Sequence, residues 1–505
     1  MSKAKPAKSV KPAAAPPGAS SAPQAEEPAW RKRAAVLGSH RLAIPLASLA
    51  LLIPCFWHSR IQAGDLGSHV YNAWLAQLVA RGQAPGLTVA TQTTNILFDL
   101  LLSWGNALFG MAAAQRIAVS LAVLTFTWGA FAFVSTVSGR RAWSLFPALA
   151  MLAYGWVYHI GFFNFYMALG LCLGAMALAW HWTPRRAAAA LALLALAWIA
   201  HALPVMWTLA LMAYRWLLDR TPPARRLPLA MATMGIMFVA RIVMGSFIET
   251  RGGLGQIVLI TGADQLFVFD PKYLWLAFVL AILWGAGIAA AMRGRSREVL
   301  ASAPLHFCLL TAAAVVIFPS WIAVPGYKHA LAFIAQRLSL PLAICVCAVA
   351  ARARPRPWQI GALTAAALVF FGLIYRDEGI CNDFEDHLEH LVAQLPPGQR
   401  VLNAVNDPYL RNGPVTHMID RICVGRCWSY ANYEPSTAQF RVRVTGPNGI
   451  IADNYGDSLA MQAGKYVVKP RDLPLYVVEL NAQGNLSIRQ AAAGAPVGSS
   501  EINLL

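Results

Sequence analysis

The chain has 505 residues, 57% hydrophobic and only 13% charged, with 41 Lys and Arg against 23 Asp and Glu for a formal net charge of +18. Soluble domains carry about 25% charged residues, so an ordinary soluble enzyme is excluded and a polytopic membrane protein is the expected class. The basic balance would also suit nucleic acid, but Arg and Lys fall in short clusters between apolar runs, as cytoplasmic loops do, so no nucleic-acid partner is expected.

Residues 1–40 are Ala, Pro, Ser and Lys, with no aromatic before Trp30, and predict a disordered basic cytoplasmic tail. The tail is too long and Pro-rich for the start of a cleavable signal. The first apolar run, 42–57, is a span entering from a cytoplasm marked by Arg31, Lys32, Arg33 and Arg41.

Asp65 follows, then a helix over 68–81 with Val70, Trp74 and Leu78 on one side and Asn72, Gln77 and Arg81 elsewhere. A second helix, 94–109, sets Ile96, Leu100, Trp104 and Leu108 against Asn95, Asp99 and Asn106. Both patterns suit helices lying at the interface. If the second were a span, Arg140 and Arg141 would lie outside and every later loop would break the charge rule.

With that reading, spans fall near 115–137, 143–158, 161–181, 187–201, 203–219, 227–247, 272–292, 304–323, 331–350 and 358–375, about eleven with the first. The expected fold is therefore an all-α polytopic bundle over 41–375 with two interfacial helices. A small extracytoplasmic α/β domain follows at 376–490, and then a flexible tail at 491–505. In that last domain a helix is expected over 383–394 and strands near 400–405, 439–444, 465–468 and 475–479. Its segment Trp428-Ser429-Tyr430-Ala431-Asn432-Tyr433-Glu434-Pro435 suits stacking on a sugar ring and equally a domain core.

This topology gathers Asp65, His69, His159, Asn164, His201 and the Pro325-Gly326-Tyr327-Lys328-His329 segment on the outer side. Polar groups at a lipid boundary are costly unless paired or used, so one outward cavity is expected there. The plain alternatives are that Asp65 caps its helix, that His69 is wetted, and that each of His159, Asn164 and His201 is a packing or turn residue. Cys55, Cys172, Cys308, Cys345 and Cys347 lie in apolar runs as small hydrophobes. Of Cys381, Cys423 and Cys427 in the outer domain, one pair is expected to bridge, with Cys423 and Cys427 the better choice.

The acid opening one interfacial helix, the second interfacial helix ending Ala107-Leu108-Phe109-Gly110, and Arg116 opening the next span resemble the start of the GT-C membrane glycosyltransferases. The likeness is to the branch of the lipid A aminoarabinose transferases and protein O-mannosyltransferases. It covers residues 42–200 well and the rest by general plan. It implies a sugar taken from a polyprenyl-phosphate donor and given to an envelope glycan, lipid or protein at the outer face of a bacterial inner membrane. Asp65 takes the position of the family's first-loop acid, as base or as part of a metal site. The chain departs from the pattern at Leu66 and Asn164, where family members often carry further acids, and Asp65 with His69 makes an incomplete site for a divalent cation. No organic cofactor is expected.

Inverting transfer needs a base on the acceptor hydroxyl and positive charge on the departing phosphate. Asp65 is the candidate base, and His69, one turn on, is placed to orient it or bind acceptor. The cationic candidates are Arg241, Arg251, Lys272, Lys328 and Arg337. Arg241 and Arg337 stand out, because a guanidinium inside an apolar helix needs a partner or an anionic ligand, although either side chain is long enough to snorkel to headgroups. Two other readings stay open: a binding or assembly subunit of the same fold that has lost catalysis, and a transporter of lipid-linked sugars.

Overall fold

The computed structural model describes residues 40–505, with side chains from Leu42 onward. The expected tail at 1–40 therefore lies, but for His40, outside the described residues. The chain divides after Ala50, and Leu51–Leu505 hold together as one compact unit.

The molecule is mostly helical. In chain order the helices are α1 (His40–Leu52), α2 (Leu66–Ala80), α3 (Leu97–Phe109), α4 (Met111–Ser138), α5 (Phe146–Ala153), α6 (Trp156–His159), α7 (Phe163–Ala179), α8 (Pro184–Ala200) and α9 (Ala202–Arg220). They continue as α10 (Pro223–Phe247), α11 (Leu274–Met292), α12 (Ser296–Leu300), α13 (Ala303–Ile317), α14 (Ile334–Ala350), α15 (Pro357–Val392), α16 (Met418–Ile422) and α17 (Tyr455–Gln462). Among the described residues four helical stretches, Met111–Ser138, Pro223–Phe247, Pro271–Met292 and Pro357–Val392, are long and apolar enough to cross a bilayer. Five more, among them Phe163–Ala179 and Ile334–Ala350, are apolar but shorter. Helix α10 buries only Ala230 and exposes Met231, Ile236, Phe238, Ile242 and Phe247. An apolar surface of that extent has no place in water, and together these helices suggest a membrane protein.

Small residues let the helices close. A Cβ on Gly129 of α4 would sit 2.0 Å from the carbonyl oxygen of Gly170 on α7, the close approach typical of membrane helix pairs. Helix α4 ends where Gly139 takes a left-handed conformation at φ 69°.

Within the expected span at 143–158 the helix is interrupted: a 3₁₀ turn, Ala142–Leu145, leads into α5, and the chain breaks at Tyr154 and Gly155 before α6. Every residue from Ala148 to His159 is buried, as broken backbone at that depth requires.

The expected boundary at 376 falls inside a helix. Helix α15 runs unbroken for 36 residues through it, about 54 Å at the helical rise, so the expected helix at 383–394 is its last part. Its lower half carries three buried acids. Asp377 accepts from Lys272 Nζ at 2.9 Å and Tyr273 Oη at 2.7 Å, Glu378 accepts from Trp57 Nε1 at 2.6 Å, and Glu385 accepts from Gln62 Nε2 at 2.8 Å and Arg421 Nε at 2.8 Å. Buried carboxylates are held only by such partners, and these tie the apolar helices to the C-terminal region.

That region holds a four-stranded sheet in the order β10 (Leu486–Gln490), β9 (Leu475–Leu480), β4 (Arg400–Asn403), β6 (Trp428–Ser429). Strand β4 runs parallel to β6 and β9. Further out, β7 (Val442–Val444) pairs with β1 (Leu87–Val89), in the segment that follows α2, and α2, expected to lie at the interface, instead buries Ser68, Asn72 and Tyr71 along with its apolar residues. Residues 491–505, expected to fray, instead supply β11 (Pro496–Gly498) and β12 (Ser500–Glu501), which pair with β8 (Lys465–Val467) and β5 (Val405–Asn406). Ladder hydrogen bonds, not side-chain composition, order them.

Candidate functional site

Asp65 sits on a pinned turn. Gly64 N–H donates to His159 O at 2.7 Å and Asp65 N–H to Ile160 O at 2.9 Å. Gly161 packs there at φ +92°, where a Cβ would come within 2.5 Å of Asp65 N. Asp65 occupies the N-cap of α2, yet its side chain makes no capping bond. The carboxylate is partly exposed, and its nearest cationic contact is His417 Nε2 at 3.9 Å.

His417 closes a short 3₁₀ turn into α16. Its Nδ1–H donates to Asp420 Oδ2 at 2.7 Å, and Ser429 Oγ and Asn432 Nδ2 donate to the same carboxylate. Held this way, the ring presents Nε2 to Asp65. Burial by itself disfavours the imidazolium, but the Asp420 bond and the charges of Asp420, Asp65 and Glu434 outweigh it and raise the His417 pKa. A Cβ on Gly67 would lie 1.9 Å from His417 O, so only glycine lets α2 and His417 approach.

Arg337 lies in the first turn of α14. Its guanidinium stacks 3.9 Å over Phe162, and among the described residues its Nε has no partner. Nη1 lies 3.3 Å from His201 Nε2. Because Leu203 N–H donates to His201 Nδ1 at 3.1 Å, a neutral ring carries its proton on Nε2 and cannot neutralise the guanidinium. The Asp65 carboxylate is the negative charge that reaches Arg337.

The hydrogen-bond partner of His69 is Asp99, not Asp65. His69 Nδ1 bonds Asp99 Oδ1 at 2.8 Å, and Asn164 fixes that carboxylate by donating to Oδ2 at 2.9 Å while accepting from Phe98 N–H at 2.8 Å. A cleft lined by His69, Asn72, Asp99, Glu434, Phe440 and Arg441 opens beside this pair. Glu434 accepts from Ser68 Oγ at 2.8 Å. Burial pushes its pKa up to about 7 against the opposing charge of His69.

An aromatic wall completes the site. His329 stacks on Tyr433 with centroids 5.1 Å apart and shares a 2.6 Å hydrogen bond with Tyr455 Oη, while Tyr433 also meets His417 and Phe440. Lys328 Nζ donates to Ser436 O at 3.3 Å. Burial lowers the His329 pKa, with Asp65 opposing and Arg337 reinforcing, so both charges act on this ring.

The remaining candidates lie elsewhere. His159 is fully buried and bonds Glu378 Oε1 at 3.2 Å, so it belongs to the α15 acids and not to the outward cavity. Lys272 is neutralised by Asp270 and Asp377, and Arg251 by Glu249. No contact joins Arg241 on α10 to Asp65 among the described residues; its guanidinium lies near Gly245. Cys423 and Cys427 are disulfide-bonded, and Cys381 is a buried free thiol.

Sequence reasoning missed His417, Asp420 and the roles of Asp99 and Glu434. The one available signal was the spacing of His417 and Asp420, which puts both on one face of a helical turn. A resident divalent cation does not fit: among the described residues no group of three His, Cys, Asp or Glu is arranged to hold one, and His417 and Asp420 already satisfy each other.

Fold and site together describe a protein with the apolar helices of a membrane protein and a polar, aromatic-walled site around Asp65. No protein-family model, curated protein or solved structure matches the chain.

Proposed function

We propose that the chain is an integral membrane glycosyltransferase that moves a sugar from a polyprenyl-phosphate donor to a lipid, glycan or protein at the outer face of a bacterial inner membrane. It would cross that membrane about eleven times, N-terminus inside and C-terminal region outside. The observation that carries the reading is an uncapped, partly exposed Asp65 carboxylate facing His417, itself oriented by Asp420, with Arg337, whose Nε has no partner among the described residues, as the candidate phosphate contact.

In this reading Asp65 takes the proton of the acceptor hydroxyl as its oxygen bonds the anomeric carbon. The bond from that carbon to the phosphate oxygen breaks, and the lipid phosphate leaves with its charge against Arg337. His417 holds the Asp65 carboxylate in place, and the ring faces of Tyr433 and His329 offer the sugar an apolar surface. Asp99, His69 and Asn164 keep α2 and α3 together beneath the site.

The broken helix at Tyr154 and Gly155 favours one rival, a transporter of lipid-linked sugars, since interrupted helices mark the binding sites of such proteins. The two separate on Asp65→Asn, which stops formation of a new glycosidic bond in a transferase and leaves translocation intact in a transporter.

A further inference from the structure

Arg337 lies in the first turn of α14, and Arg352 and Arg354 follow its other end, about 24 Å away along the helix. There they meet Arg140, just after α4, and Arg293 and Arg295, just after α11, around an open basin of about 600 Å³ in which Glu298 is the one acid among the described residues. Two of the five guanidinium groups are committed: Arg140 donates to the carbonyls of Ala351 and Ala353, and Arg352 pairs with Glu298 at 2.6 Å. Among the described residues Arg293, Arg295 and Arg354 have no carboxylate within 4.0 Å. Burial, then the like charges of Arg354 and Arg295, push the Arg140 guanidinium below its ordinary value. Such a cluster is held together most readily by an anion from outside.

The basin does not end at its charges. It shares Ala290, Ala353 and Arg354 with an apolar cleft between α11 and α15, lined by Leu283, Trp284, Ile360 and Leu363. Both helices are long enough to cross a bilayer, and Trp358 stands exposed at the start of α15, where interfacial tryptophans sit. The charge rule alone does not build this shape. Arg215 pairs with Asp219, Arg220 folds back on Trp216, and Arg226 is spent on the carbonyls of Thr221 and Ala301.

We infer that this end of the bundle is a binding site for an anionic phospholipid, with its phosphate on Arg293, Arg295 and Arg354 and one acyl chain lying along the mouth of the shallow groove between α11 and α15. Basic pockets between membrane helices recognise such headgroups, and a basin this size holds a headgroup with room for water. The site is independent of the glycosyl-transfer reading.

The test is native mass spectrometry of the delipidated full chain in non-ionic detergent, titrated with phosphatidylglycerol, phosphatidylcholine of the same acyl chains, or sodium pyrophosphate. Phosphatidylglycerol is expected to bind at least tenfold more tightly than phosphatidylcholine. The triple variant Arg293→Gln, Arg295→Gln, Arg354→Gln abolishes that preference, and the control triple Arg185→Gln, Arg186→Gln, Arg225→Gln keeps it. Arg354→Gln alone is expected to weaken phosphatidylglycerol at least threefold, which decides the matter if the triple variant does not fold. Ile360→Trp, which fills the cleft, weakens the lipid as well. Equal binding of the two lipids, or equal loss in both triples, overturns the inference. So does displacement of the lipid by pyrophosphate with no effect of Ile360→Trp, which would mark a site for a soluble phosphate.

Discussion

The Asp65 carboxylate lies 3.9 Å from Nε2 of His417, whose other ring nitrogen is held by Asp420 at 2.7 Å. Carboxylate, imidazole and carboxylate thus run in line from the open site into the protein interior. The inner acid is fully hydrogen-bonded and the outer one is not, so proton exchange with a bound molecule falls to Asp65.

This alignment gives His417 a pH signature. Asp420 raises its pKa, so activity that needs the imidazolium declines as pH rises through that raised value. Asp420→Asn removes the supporting charge, and the alkaline limb of the rate profile is expected to move to lower pH. An unmoved limb in the variant would show that His417 does not titrate in the reaction.

Arg337 is expected to set donor affinity. Arg337→Ala should weaken binding of a polyprenyl-phosphate sugar at least tenfold, about 1.4 kcal/mol. Arg337→Lys keeps the charge but loses the planar stack on Phe162 and should fall between. Donor affinity equal to wild type in Arg337→Ala would remove the phosphate from this end of α14.

Stability should depend on pH through His69 and Glu434. Burial opposes the His69 charge, but Asp99, Glu434 and Asp65 together lift its pKa from 6.5 to about 9. Burial lifts Glu434 from 4.5 to about 7. Both groups bind their protons more tightly folded than unfolded, so their contribution is complete below the unfolded values. It is lost from pH 4.5 to about 7 for Glu434 and from 6.5 to about 9 for His69. The His69 share is on the order of 3 kcal/mol. Thermal unfolding in detergent should show Tm falling across the upper window, with a flatter curve in His69→Gln. A Tm that rises there contradicts the His69–Asp99 pairing.

Packing at Gly67 offers a test without titration. Gly67→Ala drives a methyl into the His417 carbonyl and should cost at least the 1–3 kcal/mol typical of overpacking. Gly372→Ala on α15, with nothing within 4 Å, is expected to leave Tm unchanged or higher. Equal effects would mean that α2 and α16 do not meet at this distance.

Much of this site was legible because polar residues stand out in apolar surroundings. Asp65, Asn164, His201 and Arg337 were visible as groups that a lipid boundary tolerates only when used or paired. His417 was not, because its segment has no apolar period and it reaches Asp65 only through the long return of the chain over α2. The partner of His69 was misjudged for a related reason: spacing along one helix put Asp65 nearest, whereas packing of α3 brought Asp99 closer. The continuity of α15 was hidden by its change from apolar to acidic near Arg376, which imitates a domain boundary in composition alone. The strands at 496–501 carry little sequence signal, since their order comes from partners far away in the chain.

The most direct test of the glycosyltransferase reading is mass spectrometry of envelope glycolipids and glycans from cells carrying the wild-type chain, Asp65→Asn, or no chain. General-base catalysis contributes roughly 10²- to 10⁴-fold, so the account predicts that one sugar-bearing species disappears in both defective strains while its unmodified acceptor accumulates. An Asp65→Asn strain with the wild-type glycan profile, beside a deletion strain that lacks the species, would contradict it.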